Sequence, residues 1–436
     1  MPKPEVAGGD STPSEGSGRS PKTPYSAWSL LREGLRGQRG WTPAWQDRDP
    51  EPVYDVVVIG GGGHGLATAY YLARQHGINR VAVIEKGWIG GGNTGRNTTI
   101  IRSNYFHPPS AALYDLSLDL YAGLSRELNY NIMFSQRGLI EIAHTEAEFE
   151  SMARAANAMR INGIPIELLS RDEACRLAPL LNASPHTRWP VCGALQQRRA
   201  GVARHDAVAW GYARAADALG VHIIQNCEVT GFQIEGGRVV AVQTNRGNIR
   251  AERFGMAVAG NSSALAKLAG FELPIQSYTL QAMVSEPVKP CLDLVVLSAS
   301  NGVYVSQSDK GELVIGGNLD RCPSYAQRGS FRVTQSVVAP LLEMFPAFAT
   351  LKLMRQWGGT VDTSPDNSPI IGPSPVQGLY LNCGWGTGGF KAIPAGGTLF
   401  AHVLATDAHH PLSAPFDLAR FTRGALIDEG HAGVVH

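Results

Sequence analysis

Between residues 54 and 85 the spacing of apolar positions changes from strand to helix and back to strand. Val56, Val57, Val58 and Ile59 form a continuous β-branched run, the pattern of a parallel strand covered on both faces. Leu66, Ala69, Leu72 and Ala73 then recur at helical spacing, and Val81-Ala82-Val83-Ile84 is a second apolar strand. A βαβ unit is predicted. Further on, Leu113, Leu116, Leu120 and Leu124 mark a helix, followed by more α/β structure through Arg204. Val208, Tyr212, Ala215, Ala216 and Leu219 mark another helix, with Asp206 as its N-cap and His205 just outside it. From His222 to Arg253 the pattern alternates between the turns Glu235-Gly236-Gly237 and Asn245-Arg246-Gly247, a β-meander. Met256 to Ala259 reads as a short buried strand, residues 275–345 as antiparallel sheet plus helix, and Leu379 to Asn382 as a last strand before a glycine loop and helix.

The turns in this pattern carry the candidate chemistry. The first strand runs into Gly60-x-Gly62-Gly63-x-Gly65, and the second closes on Glu85, twenty positions beyond Gly65. Gly60 suits a tight turn, Gly62 a close backbone approach to a pyrophosphate, and Gly65 the packing of helix on strand. The helix N-terminus offers unpaired N–H groups to the phosphates, and Glu85 can accept from ribose hydroxyls. An acidic group there repels a 2′-phosphate, so the dinucleotide is FAD or NAD rather than NADP. The fold class is α/β with an α+β second domain: a Rossmann-like dinucleotide-binding domain and an antiparallel-sheet substrate domain.

Other stretches point to the same ligand. The loop 90–99 carries Asn93, Thr94, Arg96, Asn97 and Thr98 among glycines, groups suited to a flat polar ring edge, and Arg102 follows within an apolar stretch. Gly260-Asn261-Ser262-Ser263 ends a strand and gives a second approach to the dinucleotide. Gly386, Gly388 and Gly389 precede Lys391 at another strand-to-helix turn, which stabilises negative charge such as that on a reduced flavin. Lys86 and Val229 complete the expected cofactor contacts. His205, beside the positive end of a helix, reads from position alone either as a solvated histidine at a helix start or as a neutral imidazole available as a nucleophile.

Length and composition bound the rest. The 436 residues suggest more than one core. Residues 1–23 are Pro, Gly, Ser and charge and are expected disordered; 24–53 form an arm; 54–436 form two interleaved domains. The dinucleotide domain takes about 54–110, 200–275 and 355–410, and the sheet domain about 111–199 and 276–354. Trp28, Leu30, Leu31, Leu35, Trp41 and Trp45 in the arm pack either on their own domain or on a partner subunit. A net charge of +1 argues against nucleic-acid or membrane-surface partners, and no apolar run reaches a bilayer-spanning length. Six scattered cysteines, with no CxxC and no Cys/His cluster, suggest free thiols in the cytoplasm and no metal site.

GNTGRNTTIIRSNY (92–105), ARHDAVAWGYARAA (203–216), TSPDNSPIIG (363–372) and CGWGTGGFK (383–391), together with the opening fingerprint, resemble the β subunits of heterotetrameric sarcosine oxidases. These are amine-oxidising flavoproteins of the D-amino-acid oxidase type. The resemblance implies non-covalent FAD on the βαβ domain and FMN bound covalently to His205 at the interface with an α subunit, with γ and δ subunits completing the assembly. It implies oxidation of sarcosine by hydride transfer to FAD, electron passage to FMN, reduction of oxygen to peroxide, and transfer of the one-carbon unit to tetrahydrofolate on the α subunit. Arg102 and Lys391 match positions that bind the substrate carboxylate. Single-chain relatives attach FAD through a cysteine seven residues before the aspartate matching Asp366; that position is Gly359 here, so no thiol is present. A related subunit acting on another secondary amino acid such as proline, or an electron-relay subunit without turnover, would keep the same motifs.

Overall fold

The structure, a computed structural model, describes residues 26–40 and 43–427. The disorder expected over 1–23, and Trp41 of the arm, lie outside the described residues. The chain divides into a small unit ending at Pro43 and a large one beginning at Ala44. In the small unit Ser26 caps the helix Ala27–Leu35 by accepting from Ser29 N–H, and Trp28, Leu30, Leu31 and Leu35 are exposed. The arm expected over 24–53 is therefore divided. Gln46 N–H donates to Asp217 and Asp47 bridges to Ile223, which ties the segment after Ala44 into the large unit.

Two eight-stranded sheets build the large unit. The first has a parallel centre in the order Leu379–Cys383, Gly247–Met256, Val53–Ile59, Val81–Ile84, His222–Ile224. Ile370–Pro373 adds antiparallel at one edge, and the hairpin Val229–Glu235 with Arg238–Thr244 pairs onto the start of Gly247–Met256. One strand thus closes the meander and enters the parallel centre, where the sequence suggested two separate strands. The β-branched run alternates as a doubly covered strand must. Val56 and Val58 pack under the helices Gly63–His76, His205–Ala218 and Ile393–Thr406, while Val57 and Ile59 pack against the meander side.

The second sheet runs Leu353–Thr363, Gln276–Pro287, Glu312–Pro323, Val303–Gln307, Val295–Ser298, Leu139–Ala143, Gly193–Gln197, Glu167–Ser170. All its pairings are antiparallel except that between Val295–Ser298 and Leu139–Ala143. Two segments sit differently from the boundaries expected. Leu353–Thr363 is an edge strand of this second sheet, and helix Pro108–Glu127 packs Leu113, Leu118, Tyr121 and Leu124 into the first domain's core. Leu116 and Leu120 of the expected apolar stripe are only half-buried. The helix is rotated so that Ser117 Oγ and Tyr121 Oη donate to the carbonyls of Lys391 and Phe390, at 2.7 and 2.6 Å.

Candidate active site

A cavity of about 460 Å³ lies at the carboxyl ends of the parallel strands. Its walls come from the first glycine turn, the loop after Glu85, the turn at 257–265, the end of strand Leu353–Thr363 and the loop 385–390. Gly60 has φ +111, and a Cβ on Gly65 would overlap the Gly60 carbonyl oxygen, so both need glycine. Gly62 caps the helix without a side chain, leaving its amides facing the cavity, although Gly63 N–H already donates to Thr94 Oγ1 at 2.9 Å. Glu85 is held by two backbone amides: Gly61 N–H to Oε2 and Gly87 N–H to Oε1, each 2.8 Å. Each carboxylate oxygen retains a lone pair for a hydroxyl.

The expected cofactor residues separate into three groups. Gly60, Gly62, Gly63, Glu85, Lys86, Asn93, Thr94, Arg96, Asn97, Val229, Gly260, Gly386 and Gly389 line this cavity. Thr98 lines a smaller pocket with Arg102 and Lys391. Gly65, Gly388 and His205 line neither. Gly388 is a packing position, where a Cβ would overlap Tyr114 Oη. Arg96 lines both spaces, but its guanidinium is turned back onto the carbonyls of Gly91 and Gly92, so it shapes the loop. Asn97 does likewise, donating to the Thr94 carbonyl and accepting from Thr99 N–H. Thr99 is left-handed at φ +68, strained for a β-branched residue, and its carbonyl accepts from Ala203 N–H at 3.2 Å.

The smaller pocket, about 80 Å³, shares Arg96, Asn97, Leu280, Thr387 and Phe390 with the larger one. Both its basic side chains are buried. Arg102 donates to Asn104 Oδ1 at 2.6 Å and lies 5.1 Å from the Tyr105 ring centroid. Lys391 Nζ donates to the Thr387 carbonyl at 3.1 Å; burial first, and then Arg102, push its pKa well below the usual lysine value. The rest of the lining includes an apolar portion, Leu280, Ala282, Leu297 and Tyr304. A buried guanidinium beside an apolar lining is chemically suited to a small anion.

His205 is the first residue of helix His205–Ala218, with Arg204 at the N-cap position. Asp206 does not cap it, because its carboxylate pairs with Arg204 and accepts from Ala207 N–H at 2.9 Å. The N-cap thus lies two residues earlier than expected, and His205 stands inside the helix rather than outside it. The imidazole is half-buried, and its pKa falls below the usual value, chiefly by desolvation, so it is neutral at pH 7.

Sequence reasoning passed over two titratable groups. His64, inside the glycine fingerprint, donates from Nε2 to the Gly389 carbonyl at 2.8 Å and stacks on Trp385 with ring centroids 4.5 Å apart. Burial lowers its pKa to about 4, and Nδ1 is buried without a hydrogen-bond partner. It joins the first glycine turn to the loop that ends in Lys391. Its signal was the ring at a position where the fingerprint tolerates any residue. Asp362 accepts from Gly384 N–H at 2.5 Å at the head of the same loop; burial raises its carboxyl to about 7 against the pull of surrounding amides. Nothing local in the sequence marks it.

A family model described as FAD dependent oxidoreductase matches residues 55–403. The chain belongs to the FAD-dependent oxidoreductase family. "Sarcosine oxidase subunit beta" of Rhodobacter capsulatus is 53% identical to it over 414 residues, 94% of this chain and 99% of that protein. The protein of the same name from Arthrobacter sp. is 52% identical, covering 90% of this chain and 97% of the relative. Among solved structures, L-proline dehydrogenase from P. horikoshii superposes with a TM-score of 0.81 at 28% identity, covering 88% of this chain and 100% of that one. Like other FAD-dependent oxidoreductases, this flavoprotein has a cradle that fits FAD: crowded glycines at a helix N-terminus, an anchored carboxylate at the next strand end, and a long cavity ending beside buried cations. All six cysteines are free, and no described helix is long and apolar enough to cross a membrane.

Proposed function

We propose that this chain is the amine-oxidising β subunit of a heterotetrameric oxidase whose substrate is sarcosine or a closely similar small secondary amino acid. The observation that carries this reading is the pair of buried basic side chains, Arg102 and Lys391, in a pocket that shares lining residues with the larger cavity. Arg102 binds the substrate carboxylate, and Lys391 adds a second donor to it. The apolar wall excludes water from the bound substrate. The 2.6 and 2.7 Å bonds from helix Pro108–Glu127 to Phe390 and Lys391 hold that edge still. FAD, bound without a covalent link because Gly359 offers no thiol, supplies the hydride acceptor; FMN bonded to His205 supplies the route to oxygen, giving hydrogen peroxide. The neutral imidazole is the form that can bond to a flavin carbon. The remaining assignments are an α partner covering His205 and carrying tetrahydrofolate for the one-carbon unit, γ and δ subunits, and the cytoplasm as the compartment.

The likeness to L-proline dehydrogenase favours proline as the second reading. Anaerobic mixing of the purified complex with sarcosine, proline and dimethylglycine separates the two. Fastest flavin bleaching by sarcosine supports the first reading, fastest bleaching by proline replaces it with the second, and no bleaching by any leaves an electron-relay subunit.

A further inference from the structure

The second sheet carries a transverse row of residues in register: Leu195, Glu141, Leu297, Tyr304, Gly316 and Ala282. Residues paired across neighbouring strands share a face. Leu297, Tyr304 and Ala282 form the apolar wall of the smaller pocket. Glu141 stands next in that row, opposite Leu297 and one strand spacing away, about 4.8 Å. Its neighbours Ile140 and Ile142 point the other way, into the core on the far face. An acid therefore continues the row next to the wall residue Leu297, within electrostatic reach of Arg102, although it lines neither cavity itself.

Glu141 lies deep in the protein, where burial raises its carboxyl above the usual range and Arg102 draws it back down. It nevertheless keeps water-accessible surface. A side chain that is deep and still accessible faces an internal void, and the adjoining wall residues border one. Among the described residues no hydrogen bond or ion pair engages the Glu141 carboxylate; only longer-range interactions with Arg102 and Glu148 act on it. An unpaired acid at depth is costly, and such groups cluster where a ligand supplies the partner.

We propose that Glu141 holds the ammonium end of the substrate while Arg102 holds its carboxylate, so that the pocket selects zwitterions over simple carboxylates. This rests on the amino-acid reading above. With the Lys391 ammonium disfavoured by burial, Arg102 and Glu141 form a dipole that complements a zwitterion of zero net charge. If Glu141 merely balanced Arg102, its loss would change the binding of every carboxylate alike.

The test uses the purified holo complex and two ligands: sarcosine, and methoxyacetate, which carries an ether oxygen in place of the amine. Rapid anaerobic mixing gives the sarcosine Kd from the dependence of flavin reduction on concentration, and spectral titration gives that of methoxyacetate. Glu141→Gln is expected to weaken sarcosine about tenfold or more, the scale of a lost charge-assisted hydrogen bond, and to leave methoxyacetate unchanged or tighter. Equal changes for both ligands, or none for sarcosine, overturn the assignment. Should the Gln variant fail to retain FAD, Glu141→Asp provides the comparison: sarcosine must lose more affinity than methoxyacetate, and equal losses overturn the proposal. A wild-type complex that responds to neither ligand refutes the sarcosine reading instead.

Discussion

Replacing Arg420 with Met should destabilise the large unit by about 3–5 kcal/mol, the scale for removing one partner of a buried ion pair. Arg420 and Asp366 have side chains only 1% exposed each, and two parallel 2.8 Å bonds join Nε to Oδ2 and Nη2 to Oδ1. Arg420 also donates to the carbonyls of Ser368 and Asp417, while Ile427 N–H and Ser364 Oγ donate to Asp366. Methionine fills similar volume without replacing any of these donors, so the carboxylate is left with Ile427 N–H, Ser364 Oγ and its own Ser368 amide. The paired carboxyl is held below its usual pKa, burial opposing and the hydrogen bonds from Arg420 leading the stabilisation. A depressed folded-state value means that the contribution is complete above the unfolded value of about 3.9 and fades as pH falls through the folded one. Thermal unfolding of wild type and Arg420→Met from pH 8 to 3 should therefore show a gap that narrows in acid, beginning where the orphaned Asp366 of the variant takes up a proton. A double-mutant cycle with Asp366→Asn should recover part of the loss, because it removes the orphaned charge. A gap below about 1 kcal/mol at pH 7, or one that widens in acid, would refute the assignment of the pair as a coupled clamp.

Three further outcomes are expected. Arg102→Gln should raise the substrate Kd by one to three orders of magnitude through loss of a buried charge-assisted contact, with FAD content unchanged; unaltered affinity would remove Arg102 from the site. Precipitation with trichloroacetic acid should release all FAD into the supernatant, and FAD retained in the pellet would reveal a covalent attachment elsewhere in the chain. His205→Asn should abolish flavin fluorescence on a denaturing gel and slow oxygen consumption while leaving anaerobic bleaching intact. Tryptic peptides of the wild type should include one bearing flavin and beginning at His205, and a fluorescent band from the Asn variant would direct the search to another histidine.

The parts of this molecule that were legible in the sequence are those whose cause is local. A β-branched run, a glycine turn and a helical stripe specify one another over some thirty residues, and the first sheet's βαβ unit formed as read. The glycine turn was legible because its backbone shape is set locally, by the positive φ of Gly60 and the close packing at Gly65. What escaped was set by partners far along the chain. The strand Leu353–Thr363 joins the second sheet because Gln276–Pro287 pairs with it along its length, and no periodicity within it records that choice. Helix Pro108–Glu127 turns Ser117 and Tyr121 inward to meet carbonyls at 391 and 390, which displaces Leu116 and Leu120 from the buried face. His64 and Asp362 owe their shifted pKa values to burial under the loop 384–389. The Asp206 cap failed because Arg204 competes for its carboxylate, a contest between neighbours that propensity alone does not rank.

The cavity walls have a consequence for how the protein is made. They begin at Ile59 and end at Ile393, with the strand Leu379–Cys383 paired directly onto Gly247–Met256 at the centre of the sheet. A ribosome delivers the chain from its N-terminus, so the glycine turn emerges long before the loop that faces it. Until His64 can reach the Gly389 carbonyl, no nascent fragment encloses the space. FAD loading is therefore a late event, and the cofactor acts as an inspector of completed chains. At a hundred times its Kd it adds about 2.7 kcal/mol to the finished fold and nothing to a chain cut short before the last strand. Cells short of riboflavin should accordingly hold the full-length protein in a protease-sensitive form, long after its synthesis is complete.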